Sequence, residues 1–116
     1  MNYLLVALGG AFGSVLRYWA GFIFSFPFGT LTVNILGSLA MGLAYGLLSE
    51  KGLERASLLL MVGFLGGFTT FSSFNLDFYN LIEASNYLQA IIYVSVSVIG
   101  SIILFFVGLN FVKFLF

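Results

Sequence analysis

Apolar residues dominate four stretches of the chain: about Asn2 to Phe24, Gly29 to Leu48, Ala56 to Tyr79 and Tyr87 to Val112. Polar or turn-forming segments divide them at Ser25-Phe26-Pro27, Ser49-Glu50-Lys51-Gly52 and Glu83-Ala84-Ser85-Asn86. A helix needs about 20 residues to cross the hydrocarbon core, so each stretch predicts one transmembrane helix. Connections this short make sequential neighbours antiparallel and leave both termini on one side. The apolar start, Tyr3 to Leu8, resembles a signal h-region. It has no basic n-region and no small-x-small cleavage site, and the apolar pattern continues to Phe26, which predicts a retained helix. The expected fold is all-α: a single four-helix integral membrane domain over residues 1–116.

One stretch departs from the Leu, Ile and Val expected in hydrocarbon. Gly63 to Phe74 reads G-F-L-G-G-F-T-T-F-S-S-F, with the hydroxyls of Thr69, Thr70, Ser72 and Ser73 set among Phe68, Phe71 and Phe74. Gly66-Gly67 is its weakest helix-forming pair, because Gly loses the most backbone entropy on ordering. The third span is therefore predicted to break or kink there, freeing carbonyls before the break and amides after it. Hydrocarbon tolerates such groups only where protein buries them or a polar cavity takes them, and an interrupted membrane helix prompts a search for a bound ion. The alternative is a glycine-packed helix crossing with back-bonded hydroxyls.

The other spans each carry polar or small residues on one face. In the first, Gly9, Gly13, Arg17 and Gly21 recur at every fourth position. Arg17 either snorkels to the interface or faces an aqueous vestibule. In the second, Asn34 and Ser38 share a face that Gly42 and Gly46 continue, and an Asn inside a membrane needs a partner. In the fourth, Gln89, Tyr93, Ser97 and Ser101 form a stripe. Together these faces can line a narrow path rich in donors. Four helices have little room to enclose one, which points to an oligomer, with Gly9/Gly13 and Gly42/Gly46 as candidate contact faces.

Composition narrows what could use that path. The 116 residues are 61% hydrophobic, against roughly 45–50% in soluble domains. Zero formal net charge offers no footprint for nucleic acid. Without His or Cys the chain lacks the usual zinc and iron–sulfur ligands, and a catalytic triad lacks its base, so an enzyme is not expected. Three of the four acids, Glu50, Glu54 and Glu83, fall in predicted loops, and Asp77 lies near the end of span three. That leaves no central carboxylate for proton coupling and no acidic ring for cations. Hydroxyls, an Asn amide, a Tyr and the electropositive edges of Phe71 and Phe74 remain, next to the positive end of a half-helix. Such a lining suits a small, hard anion.

The motifs G-G-x-x-G-x-x-x-R-Y at 9–18, G-T-L-x-V-N-x-x-G at 29–37 and G-x-x-G-G-x-T-T-F-S-S-F at 63–74 closely resemble those of the Fluc (CrcB) fluoride channels of microbes. The resemblance covers nearly the whole chain. It implies passive, chloride-excluding fluoride conduction that protects the cell, in the cell (inner) membrane. It further implies a homodimer of oppositely oriented subunits, with a structural sodium ion on the dimer axis held by the carbonyls of Gly66 and Thr69. Phe71 and Phe74 would contact fluoride, with Asn34, Ser72, Ser73, Tyr93 and Ser101 as polar partners and Arg17 as the basic residue of the first motif. Ser73 stands where family members often have Thr. Lys51, Arg55 and Lys113 on the terminal side, against Arg17 towards the other, give a small topology bias that permits mixed insertion. Two other classes share some of these features: a small multidrug-type transporter, which depends on a membrane-embedded Glu missing from residues 2–24, and a non-transporting assembly subunit.

Overall fold

The computed structural model describes residues 1–116. Four helical segments are long and apolar enough to cross a membrane: Asn2–Ile23, Phe28–Lys51, Glu54–Glu83 and Tyr87–Leu115, of 22, 24, 30 and 29 residues. The chain is therefore all-helical and of the multi-pass membrane type. We label the helices α1 (Asn2–Ile23), α2 (Phe28–Leu48), α3 (54–68), α4 (Phe71–Glu83) and α5 (Tyr87–Leu115). Within α3 the turns widen to π geometry over Leu58–Leu65, and α5 does the same over Val96–Gly100. The loop after α2 and the C-terminus share one end of the molecule, where Lys51 Nζ sits 5.7 Å from the centre of the Phe116 ring.

Only 17 of 116 residues are buried, so a large apolar core does not hold the helices together. The outer surface carries Tyr3, Phe12, Leu88 and Ile91, each more than half exposed, as a lipid-facing surface requires. Close backbone contact replaces the core. A Cβ at Gly13 of α1 would overlap the carbonyl oxygen of Phe64 in α3, and one at Gly67 would lie 2.7 Å from the carbonyl oxygen of Gly10. In the same way a Cβ at Gly42 of α2 would overlap the Phe105 carbonyl of α5. Two glycine-zipped pairs, α1 with α3 and α2 with α5, thus form the bundle. The glycine faces expected to join one subunit to another are used inside the chain instead, because spans one and three, and spans two and four, run parallel and close enough to fill them. The resulting slab measures 48 × 32 × 20 Å. Its thinnest dimension is about two helix diameters, so the polar faces border a groove at the surface.

The third span departs from helical geometry two residues past the expected Gly66-Gly67. Gly66, Gly67 and Phe68 are helical, and the residues off helical geometry are Thr69 (φ −91°, ψ 154°) and Thr70 (φ −152°, ψ 128°). Low helix propensity permits a departure but does not place it. Gly67 is helical against the backbone of Gly10, whereas Thr70 finds in Asn34 a side-chain partner for the amide and carbonyl that extension frees, and its own hydroxyl takes the Ser73 amide.

If close backbone approach holds the bundle, adding one methyl group at Gly42 and at Gly21 should give opposite results. Gly42→Ala is expected to lower thermal stability in detergent by about 1–3 kcal/mol, the usual cost of overpacking. Gly21→Ala, where nothing lies within 4 Å, should leave the melting temperature unchanged. Equal melting temperatures for the two variants would refute the zipper.

Candidate functional site

The extended step at Thr69-Thr70 is built from four side chains. Two extended residues carry the chain off the helical path, so backbone groups on either side lose their partners four residues away. Asn34 of α2 supplies two bonds at once: its Nδ2 donates to the Thr70 carbonyl at 2.9 Å, and its Oδ1 accepts from the Thr70 amide at 2.8 Å. The carboxamide thus pairs with a peptide unit much as a neighbouring strand would. Thr70 Oγ1 accepts from the Ser73 amide at 3.2 Å, which makes Thr70 the N-cap of α4. Thr69 Oγ1 donates back to the Leu65 carbonyl at 2.9 Å. Arg17 of α1 donates from Nε to the Gly67 carbonyl at 3.1 Å. Gly37, one turn beyond Asn34, clears the space for Thr69, whose methyl a Cβ there would overlap.

Against this step lies an open groove of about 580 Å³. Asn34 and Ser38 of α2, Gly66, Thr69 and Thr70, Phe71 and Phe74 of α4, and Ser97 and Ser101 of α5 border it with apolar neighbours, and no charged side chain does. The Phe71 and Phe74 rings stack with centroids 5.4 Å apart, and Phe74 also stacks on Tyr93 at 5.4 Å. With neighbours against its faces, Phe74 offers a visitor its electropositive edge. Thr70 caps the amino end of α4, so the partial positive charge of that helix falls next to Phe71.

The structure gathers Asn34, Phe71, Phe74, Ser101, Gly66 and Thr69 around the groove. The other candidates lie elsewhere. Ser72 is exposed, with its hydroxyl 3.1 Å from Thr70 Oγ1, and Ser73 is half-buried and contributes its amide to the cap. Tyr93 is buried and its hydroxyl donates to Asp77 Oδ2 at 2.9 Å, beside a small cavity shared by Asp77 and Thr30. The α5 stripe is therefore split, with Ser97 and Ser101 on the groove and Tyr93 turned to Asp77. Arg17 is half-buried against α3 through its Gly67 contact.

Sequence reasoning missed Thr70, the residue on which the step turns. A Thr directly before an amphipathic helix, with a free amide three residues on, is an N-cap signal that could have found it. Ser97 was noticed in the stripe yet not singled out. It is buried, and its hydroxyl has no partner within the chain.

Residues 4–109 match the family model described as CrcB-like protein, Camphor Resistance (CrcB). The chain belongs to the CrcB family. A relative from Sphingopyxis alaskensis is 47% identical over 112 residues, covering 89% of each chain. One from Hyphomonas neptunium is 44% identical over 117 residues, with 93% and 92% covered. A third, from Leptospira interrogans, is 39% identical with 97% and 94% covered. All three bear the name fluoride-specific ion channel FluC. In this CrcB chain the motif residues from span two and span three meet at the Asn34–Thr70 pair.

The pairing has a direct test. Asn34→Ala leaves the amide and the carbonyl of Thr70 without partners, at about 1–3 kcal/mol for each buried group. Hydrogen exchange of the segment containing Thr70 is expected to accelerate about tenfold or more, while exchange in α1 stays unchanged. Unaltered protection at Thr70 would show that Asn34 does not hold the step.

Proposed function

We propose that this chain is the subunit of a fluoride channel through which fluoride leaves the cell passively. The name shared by its relatives points to the ion, and one observation carries the reading to this chain: a groove of hydroxyls, one carboxamide and Phe edges, with no charge of either sign. An acidic lining would repel an anion; weak, successive donors attract it without holding it too tightly to release it. Neutral HF enters from acid surroundings, ionises in the cytoplasm and is trapped, so a passive exit driven by the negative interior relieves the cell. The first span carries no acid for coupled drug transport, and the groove lining gives a mere assembly subunit no use for its donors.

In this proposal fluoride passes Phe71, Phe74 and Ser101 in the groove, with Ser72, Ser73 and Tyr93 as further polar partners outside it. Asn34 spends one Nδ2 hydrogen and its Oδ1 on Thr70; the second Nδ2 hydrogen remains for the ion. The interruption of the third span would serve a structural sodium ion. The Thr70 amide turns to Asn34 and leaves the Gly66 carbonyl without it, and no amide of the chain donates to the Thr69 carbonyl. Both residues border the groove, and hard carbonyl oxygens suit that cation. Two carbonyls from each of two chains would hold it, so its occupancy goes with an antiparallel homodimer. The dimer fits the thin slab, which one copy cannot close around a path, and its expected home is the inner membrane.

Fluoride efflux from liposomes holding the pure protein, with no proton gradient, tests the function. Phe71→Ile and Phe74→Ile keep apolar bulk but remove the ring quadrupole, and each is expected to reduce efflux about tenfold or more while leaving the particle size unchanged. Wild-type efflux in both variants would sink the path through these rings.

Dual topology is tested by reporters on the C-terminus together with cross-linking of purified dimers. Signal from both sides of the membrane is expected, since the Lys and Arg bias is small. Signal from one side only, with cross-links that only parallel pairs allow, would overturn the antiparallel arrangement.

A further inference from the structure

Arg17 has an assignment that neither snorkelling nor an anion-collecting vestibule explains. It follows Gly13 by one turn on the face of α1 that lies against the backbone of α3. That face runs out where α3 ends, because Thr69 leaves helical geometry. In an uninterrupted helix the Gly67 carbonyl would accept from the Phe71 amide four residues on. The extended step removes that partner, and Arg17 Nε donates to this carbonyl at 3.1 Å instead. The last carbonyls of a helix carry its partial negative charge, so a guanidinium there is favoured both as a donor and as a cation. Such a charge-assisted bond is about twice as strong as one between neutral groups.

We propose that Arg17 is a positioning residue, a cap supplied from α1 to the carboxyl end of α3. It fixes the Gly67 peptide and, through it, the angle at which the chain enters the Thr69-Thr70 step. Its effect on conduction passes through the backbone beside the groove, not through its charge in solution. The contact is made by Nε, near the stem of the side chain, and this detail separates the two roles. Gln carries an amide nitrogen at the same number of bonds from Cα as Arg Nε, without the charge. Lys keeps the charge but carries its nitrogen one bond farther out. Met matches the length and has neither donor nor charge.

The effect on flux rests on the fluoride-channel reading; the cap itself does not. At saturating fluoride, Arg17→Gln is expected to conduct within about threefold of wild type. Arg17→Lys and Arg17→Met should each fall about tenfold or more, the factor carried by one hydrogen bond of ordinary strength. If charge in a vestibule is what matters, the order reverses, with Lys near wild type and Gln as poor as Met, and the proposal fails. A second readout is independent of transport. The Gly67 carbonyl can be observed by solid-state NMR as a [1-¹³C]Gly–[¹⁵N]Phe pair, one of three Gly–Phe steps beside Gly21-Phe22 and Gly63-Phe64. Its ¹³C shift is expected to move upfield in Arg17→Met and to stay near the wild-type value in Arg17→Gln. An unmoved shift in Arg17→Met overturns the cap whatever the flux. Wild-type liposomes without fluoride efflux would end the fluoride reading, and the carbonyl shift would still decide the cap.

Discussion

The structure depends on one carboxamide paired with one peptide unit. Thr70 stands extended in the middle of the third span, and Asn34 satisfies both its amide and its carbonyl. In hydrocarbon an unpaired backbone group costs several kcal/mol, so without such a partner a continuous helix would be the cheaper path. The neighbouring groups are treated alike: Thr69 folds its hydroxyl back on Leu65, Thr70 caps the following helix, and Arg17 takes the Gly67 carbonyl.

These bonds need helices that lie close together, and the glycines provide that. Gly13 and Gly67 bring α1 onto α3 so that Arg17 reaches the end of α3, and Gly37 lets α2 meet Thr69 so that Asn34 reaches Thr70. In a solvent as apolar as Leu, association relies on van der Waals contact and hydrogen bonds, both of which require short distances. A methyl group at these positions would therefore cost both packing and polar satisfaction.

Function follows from where the irregularity points. Once α4 restarts at Phe71, capped by Thr70, its first turn sets Phe71 and Phe74 over the groove and stacks Phe74 on Tyr93. Asn34 gives its Oδ1 and one Nδ2 hydrogen to Thr70, so two bonds fix its carboxamide beside the groove. A donor held this firmly has little room to reorganise, the kind of preorganisation that the proposed anion path calls for. The buried, unpartnered hydroxyl of Ser97 lies on the same groove.

Sequence alone determined the four spans, because apolar length and short polar breaks are local signals; the ends differ from expectation by only a few residues. It also singled out Gly63 to Phe74 and the Asn34 and Arg17 faces, since polar residues in an apolar run stand out without any knowledge of their partners. Only the tertiary structure decided what those residues touch. Gly66-Gly67 reads as the weak point, yet the departure falls on Thr69-Thr70, because it is fixed by bonds to a residue 36 positions away. The glycine faces read as subunit contacts, yet the chain uses them internally. Tyr93, Ser97 and Ser101 read as one stripe, yet the π turns over Val96–Gly100 and the pull of Asp77 divide it. Periodicity reports which residues share a helix face; it carries no information about which helix that face meets, and hydrogen bonding across the bundle depends on that.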